Sequence, residues 1–247
     1  MTERNASIAI VGAGDYIGAA IASRFAAEGY RIHGGRRQGE KLADLEARIA
    51  SEGGSFTGHS LDARREQEIA DFLDRVDADA PLEACIFNVG ANVRFPILET
   101  TDRVFRKVWE MACQAGFLTG REAARLMLAH GRGSIFFTGA TASVRGSAGY
   151  AAFASAKAGL RAVAQSMARE LGPQNIHVAH LVIDAGVDTA WVRERIAQDR
   201  GSEAAEEMSE DMLIDPASIA EAFWQLHRQP RDAWTHELDL RPFGETW

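Results

Sequence analysis

The chain has little of what staples, divides or anchors other kinds of protein. Only two cysteines occur, Cys85 and Cys113, each inside an otherwise apolar segment. Two thiols without metal-ligand spacing exclude a disulfide framework and a zinc site, and they suit a reducing compartment. Basic residues are also short, 27 against 35 acidic ones, for a formal charge of −8. Such a chain lacks the basic footprint that phosphate backbones demand, so neither nucleic acid nor an anionic membrane is an expected partner. No apolar run approaches the ~18 residues of a membrane span. The opening Met1-Thr2-Glu3-Arg4-Asn5 leads into a short apolar run from Ile8 to Val11, not into a secretory segment. The expected compartment is the cytoplasm. No repeat, low-complexity tract or Pro/Ser-rich linker divides the chain.

What is present is an ordinary globular mix, 46% hydrophobic and 25% charged over 247 residues. A chain of this length buries roughly 70–75% of its unfolded surface, enough for a large core. Short β-like runs recur at Ser7–Val11, Tyr30–Gly34, Ser55–Gly58, Ala84–Asn88, Ser134–Thr138, His177–Ile183 and His236–Leu240. Between them apolar residues fall at helical spacing, as in Ile17, Ile21 and Phe25, or Leu160, Val163, Met167 and Leu171. Alternation of this kind predicts an α/β fold, a Rossmann-type doubly wound parallel sheet of seven strands in order 3-2-1-4-5-6-7. Residues 1–247 are expected to form one domain. The stretch from Asp188 to Pro216, with Trp191, Ile196, Met208, Met212 and Leu213 among many charges, breaks the rhythm. It reads as a solvated helix pair or as a substrate lid around residues 188–215, and its position directly after the sixth strand favours the lid.

The first strand runs into Val11-Gly12-Ala13-Gly14-Asp15-Tyr16-Ile17-Gly18. Glycines between a strand and a helix permit a tight turn and a close backbone approach, and the helix start then offers N–H groups to a pyrophosphate. At the end of the second strand stands Gly34-Gly35-Arg36-Arg37, with no carboxylate. An acidic residue there would bind ribose hydroxyls and repel a 2′-phosphate, whereas arginine matches phosphate geometry. NADP(H) is therefore the expected cofactor, with NAD(H) as the alternative and Asp15 as a counterweight.

Over nearly its whole length the chain resembles the short-chain dehydrogenase/reductase family. Gly12 and Gly18 match the outer glycines of that family's TGxxxGxG signature, with Val11 at the threonine, Tyr16 at the middle glycine and Gly14 extra. Asn88-Val89-Gly90-Ala91 resembles the NNAG element, with Phe87 at its first position. Leu61-Asp62 resembles the adenine-binding Asp-Val, Tyr150 to Lys157 the YxxxK helix, and Val187-Asp188-Thr189 the carboxamide-binding turn. Asp184-Ala185-Gly186 stands where a Pro-Gly usually precedes that turn. The resemblance thus assigns Gly12, Gly14, Tyr16, Ile17, Gly18, Asp62, Asn88, Gly90, Lys157, Val187 and Thr189 to the cofactor, beside Arg36 and Arg37.

The resemblance also implies a catalytic tetrad, and here the chain departs from it. Lys157 is present, but Phe153 occupies the tyrosine position, Ala140 the serine and Cys113 the asparagine. A phenyl ring has no proton to move, so a non-standard donor is needed. Tyr150 lies three residues before Phe153, and Thr138, Thr141 and Ser143 supply hydroxyls near the serine position. His180 lies on the sixth strand, where a hydrogen-bonded core histidine is the plainer reading. The expected catalytic set is Lys157, Tyr150 and Thr141, in an oxidoreductase acting on a carbonyl/alcohol pair. A catalytically inactive cofactor-binding or regulatory protein and an isomerase that retains its cofactor are the competing readings. Arg94, Phe95 and Trp191 suggest a pocket for a small aromatic or acidic substrate. Alanines at 151, 152, 154, 156 and 158 would allow the close helix packing by which family members form dimers, so a homodimer or homotetramer is expected.

Overall fold

Strands that read as unbroken apolar runs must be covered on both faces, and the sheet is built that way. The computed structural model describes residues 3–201 and 210–245. Its strands are β1 (Ser7–Val11), β2 (Arg31–Arg36), β3 (Ser55–Ser60), β4 (Leu82–Phe87), β5 (Gly133–Thr138), β6 (Ile176–Ile183) and β7 (Glu237–Leu240). They form one sheet in the order β3-β2-β1-β4-β5-β6-β7, with every neighbouring pair parallel. That is the order the alternating pattern predicts. Every residue of β1 and β6 is buried, whereas edge strand β7 is not.

Side chains alternate across the pleat and feed two separate cores. Ile8 and Ile10 pack with α1 (Ile17–Ala26), α2 (Ala43–Ser51) and the last helix, α8 (Pro216–His227), through Ile21, Phe25, Ile49 and Phe223. Ala9 and Val11 face α3 (Glu66–Asp79), α5 (Ala115–His130) and α6 (Ala151–Leu171), through Ile69, Met127 and Leu160. Phe25 is fully buried and meets Trp224 edge-on at 5.4 Å. Burial of one such ring stabilises by roughly 1.5–3 kcal/mol.

Three local features position the site. The second strand runs two residues past its expected end, to Arg36, because Gly35 and Arg36 continue the parallel pairing with His59 and Ser60 of β3; a Cβ at Gly34 or Gly35 would come within 2.5 Å of Phe56 or Leu61 respectively. Helix α4 (Asp102–Trp109) passes through a π turn at Glu110–Gln114 directly into α5. After β6 the chain enters α7 (Ala190–Arg200), and the two ends of this excursion are tied: Asp188 N–H donates to Ile214 O, and Ile214 N–H to Gly186 O, both at 2.9 Å. Residues 202–209 of the expected lid, Met208 included, lie outside the described residues.

Candidate active site

The chain order reverses between β1 and β4, and beyond their carboxyl ends the sheet opens a crevice. Gly12 turns the chain there with φ +95°, and a Cβ on it would lie 2.7 Å from the Asn88 carbonyl carbon. Asn88 Nδ2 donates to Gly12 O at 3.0 Å, which locks the β1 and β4 loops together. Gly14 is the opposite case: a Cβ there would meet nothing within 4 Å and would stand in the crevice itself. Helix α1 starts behind this loop, N-capped by Tyr16 without a side-chain hydrogen bond. Its uncapped N–H groups and positive dipole end suit an anion. Glycines placed between the first strand and a helix predict this cradle, and the open space over Gly14 leaves room for a pyrophosphate.

Two cavities share Gly12, Gly14, Asn88, Val89 and Gly90. The first, about 590 Å³, is lined by Arg36, Arg37 and Asp62, and it also takes in Gln38 and Arg64. Arg36 Nη1 donates to Asp15 Oδ1 at 2.6 Å, so the counterweight residue sits directly on the arginine. Asp62 is held through both carboxylate oxygens by Arg64, at 2.8 and 2.5 Å. The Arg64 hydrogen bonds keep its carboxyl below the usual range. Its remaining lone pairs can still accept from an adenine amino group. Nothing in the family pattern singles out Arg64; only its closeness to Asp62 in sequence hints at the pair.

The second cavity, about 660 Å³, is lined by Tyr16, Ile17, Gly18, Val187, Thr189 and Lys157, and by Ala140, Thr141, Tyr150, Phe153 and Trp191. Lys157 is 3% exposed, and its ammonium donates to Thr138 O at 2.8 Å and Val89 O at 3.4 Å. Burial lowers its pKa to about 8. Phe153 is buried beside it, its ring centroid 5.9 Å from Nζ. Tyr150 is the N-cap of α6 and therefore stands just outside the first helical turn, but it still lines the cavity. Thr138 also lines this space, and its Oγ1 is buried with no hydrogen-bond partner among the described residues. Thr189 Oγ1 accepts from Val192 N–H at 3.1 Å and caps α7.

Other candidates fall elsewhere. His180 is wholly buried behind Gly139, 3.3 Å from Glu237, and burial lowers its pKa to about 4; it does not line the cavity. Cys113 lies in the π turn against Gly159, and burial raises its thiol pKa, so it behaves as a small hydrophobe. Ser143 spends its hydroxyl accepting from Ala140 N–H at 3.1 Å. The expected pocket residues Arg94 and Phe95 are a correction: both are exposed and neither lines a described cavity. Phe95 N–H bonds to Gly149 O at 2.8 Å, which pins the loop by its backbone, not by side chains turned into the pocket. The cation that lines the larger cavity besides Lys157 is Arg145. Among the described residues no helix is long and apolar enough to cross a membrane, and no cluster of three or more His, Cys, Asp or Glu side chains could hold a metal.

Comparison with known proteins agrees with this geometry. A family model described as short chain dehydrogenase matches residues 6–200. The chain is 27% identical over 203 residues to the 3-oxoacyl-(acyl-carrier-protein) reductase MabA of Mycobacterium tuberculosis, covering 78% of this chain and 74% of that protein. It superposes on the crystal structure of a short-chain dehydrogenase from Rhodopseudomonas palustris with a TM-score of 0.84 and 61% identity, over 97% of this chain and 100% of the other. An actinorhodin polyketide ketoreductase with NADPH shares the fold at a TM-score of 0.85 and 22% identity, over 98% of each chain.

Proposed function

Because the chain belongs to the short-chain dehydrogenase family, we propose that it is an NADP(H)-dependent oxidoreductase that interconverts a carbonyl and an alcohol without the family's tyrosine. The observation that carries this reading is Lys157. A lysine ammonium buried to 3% exposure, satisfied by backbone carbonyls alone and facing the cavity that the glycine loop opens onto, is costly to keep unless a ligand uses it. NADP(H) bound in the crevice supplies the hydride. Lys157 would hold its nicotinamide ribose, the Gly12–Gly18 loop its pyrophosphate, Val187 and Thr189 its carboxamide, and Arg36 and Arg37 its 2′-phosphate.

The proton must then come from another group in the same cavity. Tyr150 is the one phenol there besides Tyr16, which sits on the glycine loop, and Thr141 follows the residue in the serine position. We assign Tyr150 as the proton donor and Thr141 as the hydroxyl that steadies the substrate oxygen, within a space partly roofed by α7. Losing a well-positioned general acid costs about 10²–10⁴ in rate, so the reaction should be slow rather than absent. Tyr150→Phe should remove most of the single-turnover loss of reduced-nicotinamide absorbance, whereas His180→Ala should not. Loss of the signal in neither variant would transfer the proton to water.

The same chemistry does not require a monomer. Phe105, Trp109 and Phe117 are exposed at 39%, 41% and 43% along α4 and α5, beside the alanine-rich α6. We propose that this face is covered in a homodimer or homotetramer; sedimentation velocity of a Trp109→Glu variant, expected to shift toward monomer, tests it.

A further inference from the structure

Among the described residues the larger cavity is lined by three charged ones: Asp15, Lys157 and Arg145. Asp15 is paired with Arg36 and Lys157 with backbone carbonyls, both at the cofactor's part of the crevice. Arg145, just after the turn that follows β5, is the cation left for whatever shares the cavity with the cofactor. Its anchorage is unusual. Nη2 donates to Oδ1 of Asp184 at 3.1 Å, and Asp184 is 1% exposed at the end of β6. The same carboxylate lies 3.0 Å from Arg241, which in turn pairs with Asp239 at 2.6 Å.

The result is an alternating chain, Arg145–Asp184–Arg241–Asp239, neutral as a whole but cationic at the cavity. Burying a carboxylate costs several kcal/mol before its partners offset it. Here the expense fixes one guanidinium in place while leaving its side chain 42% exposed. A guanidinium held by one nitrogen keeps a further edge whose donors match a planar carboxylate. Asp184 is shared between Arg145 and Arg241 and offsets only part of the Arg145 charge, so the single guanidinium at the cavity suits a monocarboxylate better than a phosphate dianion. Tyr150 and Trp191 line the same cavity and the smaller one of about 380 Å³ that adjoins it.

Resting on the oxidoreductase reading above, we propose that the substrate is an aromatic or similarly apolar oxo acid, whose carboxylate docks on Arg145 with Asp184 as the positioning residue behind it. The experiment is calorimetric titration of the whole protein saturated with NADP⁺. The probes are benzoylformate and 3-benzoylpropionate, each against its methyl ester. At least one acid should bind tenfold or more tightly than its ester, and Arg145→Met should abolish that preference. Arg145→Lys should restore part of it, since the charge returns without the planar fork. Equal binding of acids and esters by the wild type, or a preference that survives Arg145→Met, overturns the proposal whatever the variants' stability. Binding is read apart from turnover. An acid preference without hydride transfer would sink the oxidoreductase reading alone, and turnover of neutral carbonyls without acid preference would sink this one alone.

Discussion

Removal of the Arg36 guanidinium should separate the two dinucleotides. Arg36 is the last residue of β2, lines the cavity of about 590 Å³ and is half-buried, while its partner Asp15 is 69% exposed on the glycine loop. A charge-assisted hydrogen bond to a phosphate contributes about 1.5–3 kcal/mol, so Arg36→Ala should weaken NADPH roughly ten- to a hundredfold. NADH carries no 2′-phosphate and should change little. Arg37 is exposed, so Arg37→Ala should cost less. The Asp15–Arg36 contact at 2.6 Å adds a second, opposite effect, because the carboxylate competes with the phosphate for the same guanidinium. An exposed pair of this kind is worth about 0.2–1 kcal/mol, so Asp15→Asn should tighten NADPH by at most about fivefold. Fluorescence titration of both cofactors at fixed ionic strength reads all four numbers, and raised salt should shrink the NADPH differences first. Equal losses of NADPH and NADH in Arg36→Ala would refute the reasoning and make the arginine structural.

Lys157 should cost the cofactor-free fold stability. Its folded pKa of about 8 lies below the ordinary 10.5, so the unfolded chain binds more protons between those values and stability rises as pH climbs through them. Against a Lys157→Met variant, wild-type stability should gain on the order of 3 kcal/mol from pH 8 to pH 10.5 in urea melts, and a flat difference would contradict the buried-ammonium account. His59 and His180 are both held near 4 by burial. Each therefore contributes stability that is lost as pH falls from its unfolded value near 6.5 through 4; the melting temperature should fall over that window, and less so in His180→Gln. Phe25→Ala, which empties a fully buried site against Trp224, should cost about 3–5 kcal/mol.

The sheet was legible because parallel strands covered on both faces are written as unbroken apolar runs, and Ser7–Val11 and Ile176–Ile183 are of that kind. The glycine loop was legible because φ +95° at Gly12 and contact with Asn88 leave no room for another residue. Side-chain direction in irregular segments was not. Arg94 and Phe95 share a loop that is tied by its backbone to Gly149, yet both are exposed and neither lines a described cavity. Arg145 and Asp184 are 39 residues apart and meet only when β5 and β6 pair, so no local pattern joins them. Tyr150 illustrates the smallest margin: its usefulness turned on where α6 begins, and the helix begins one residue after it.

Hydride transfer is expected to survive with Phe153 in the place of a tyrosine. The most direct test loads the protein with NADPH, mixes it with a panel of activated carbonyls and follows the reduced-nicotinamide absorbance through one turnover. A slow decay is expected in the wild type and a faster one in the Phe153→Tyr, Ala140→Ser double variant, because a phenol beside Lys157 and a hydroxyl on the substrate oxygen return to the cavity. Bound NADPH with no decay in either protein would contradict it and leave a cofactor-binding module in its place.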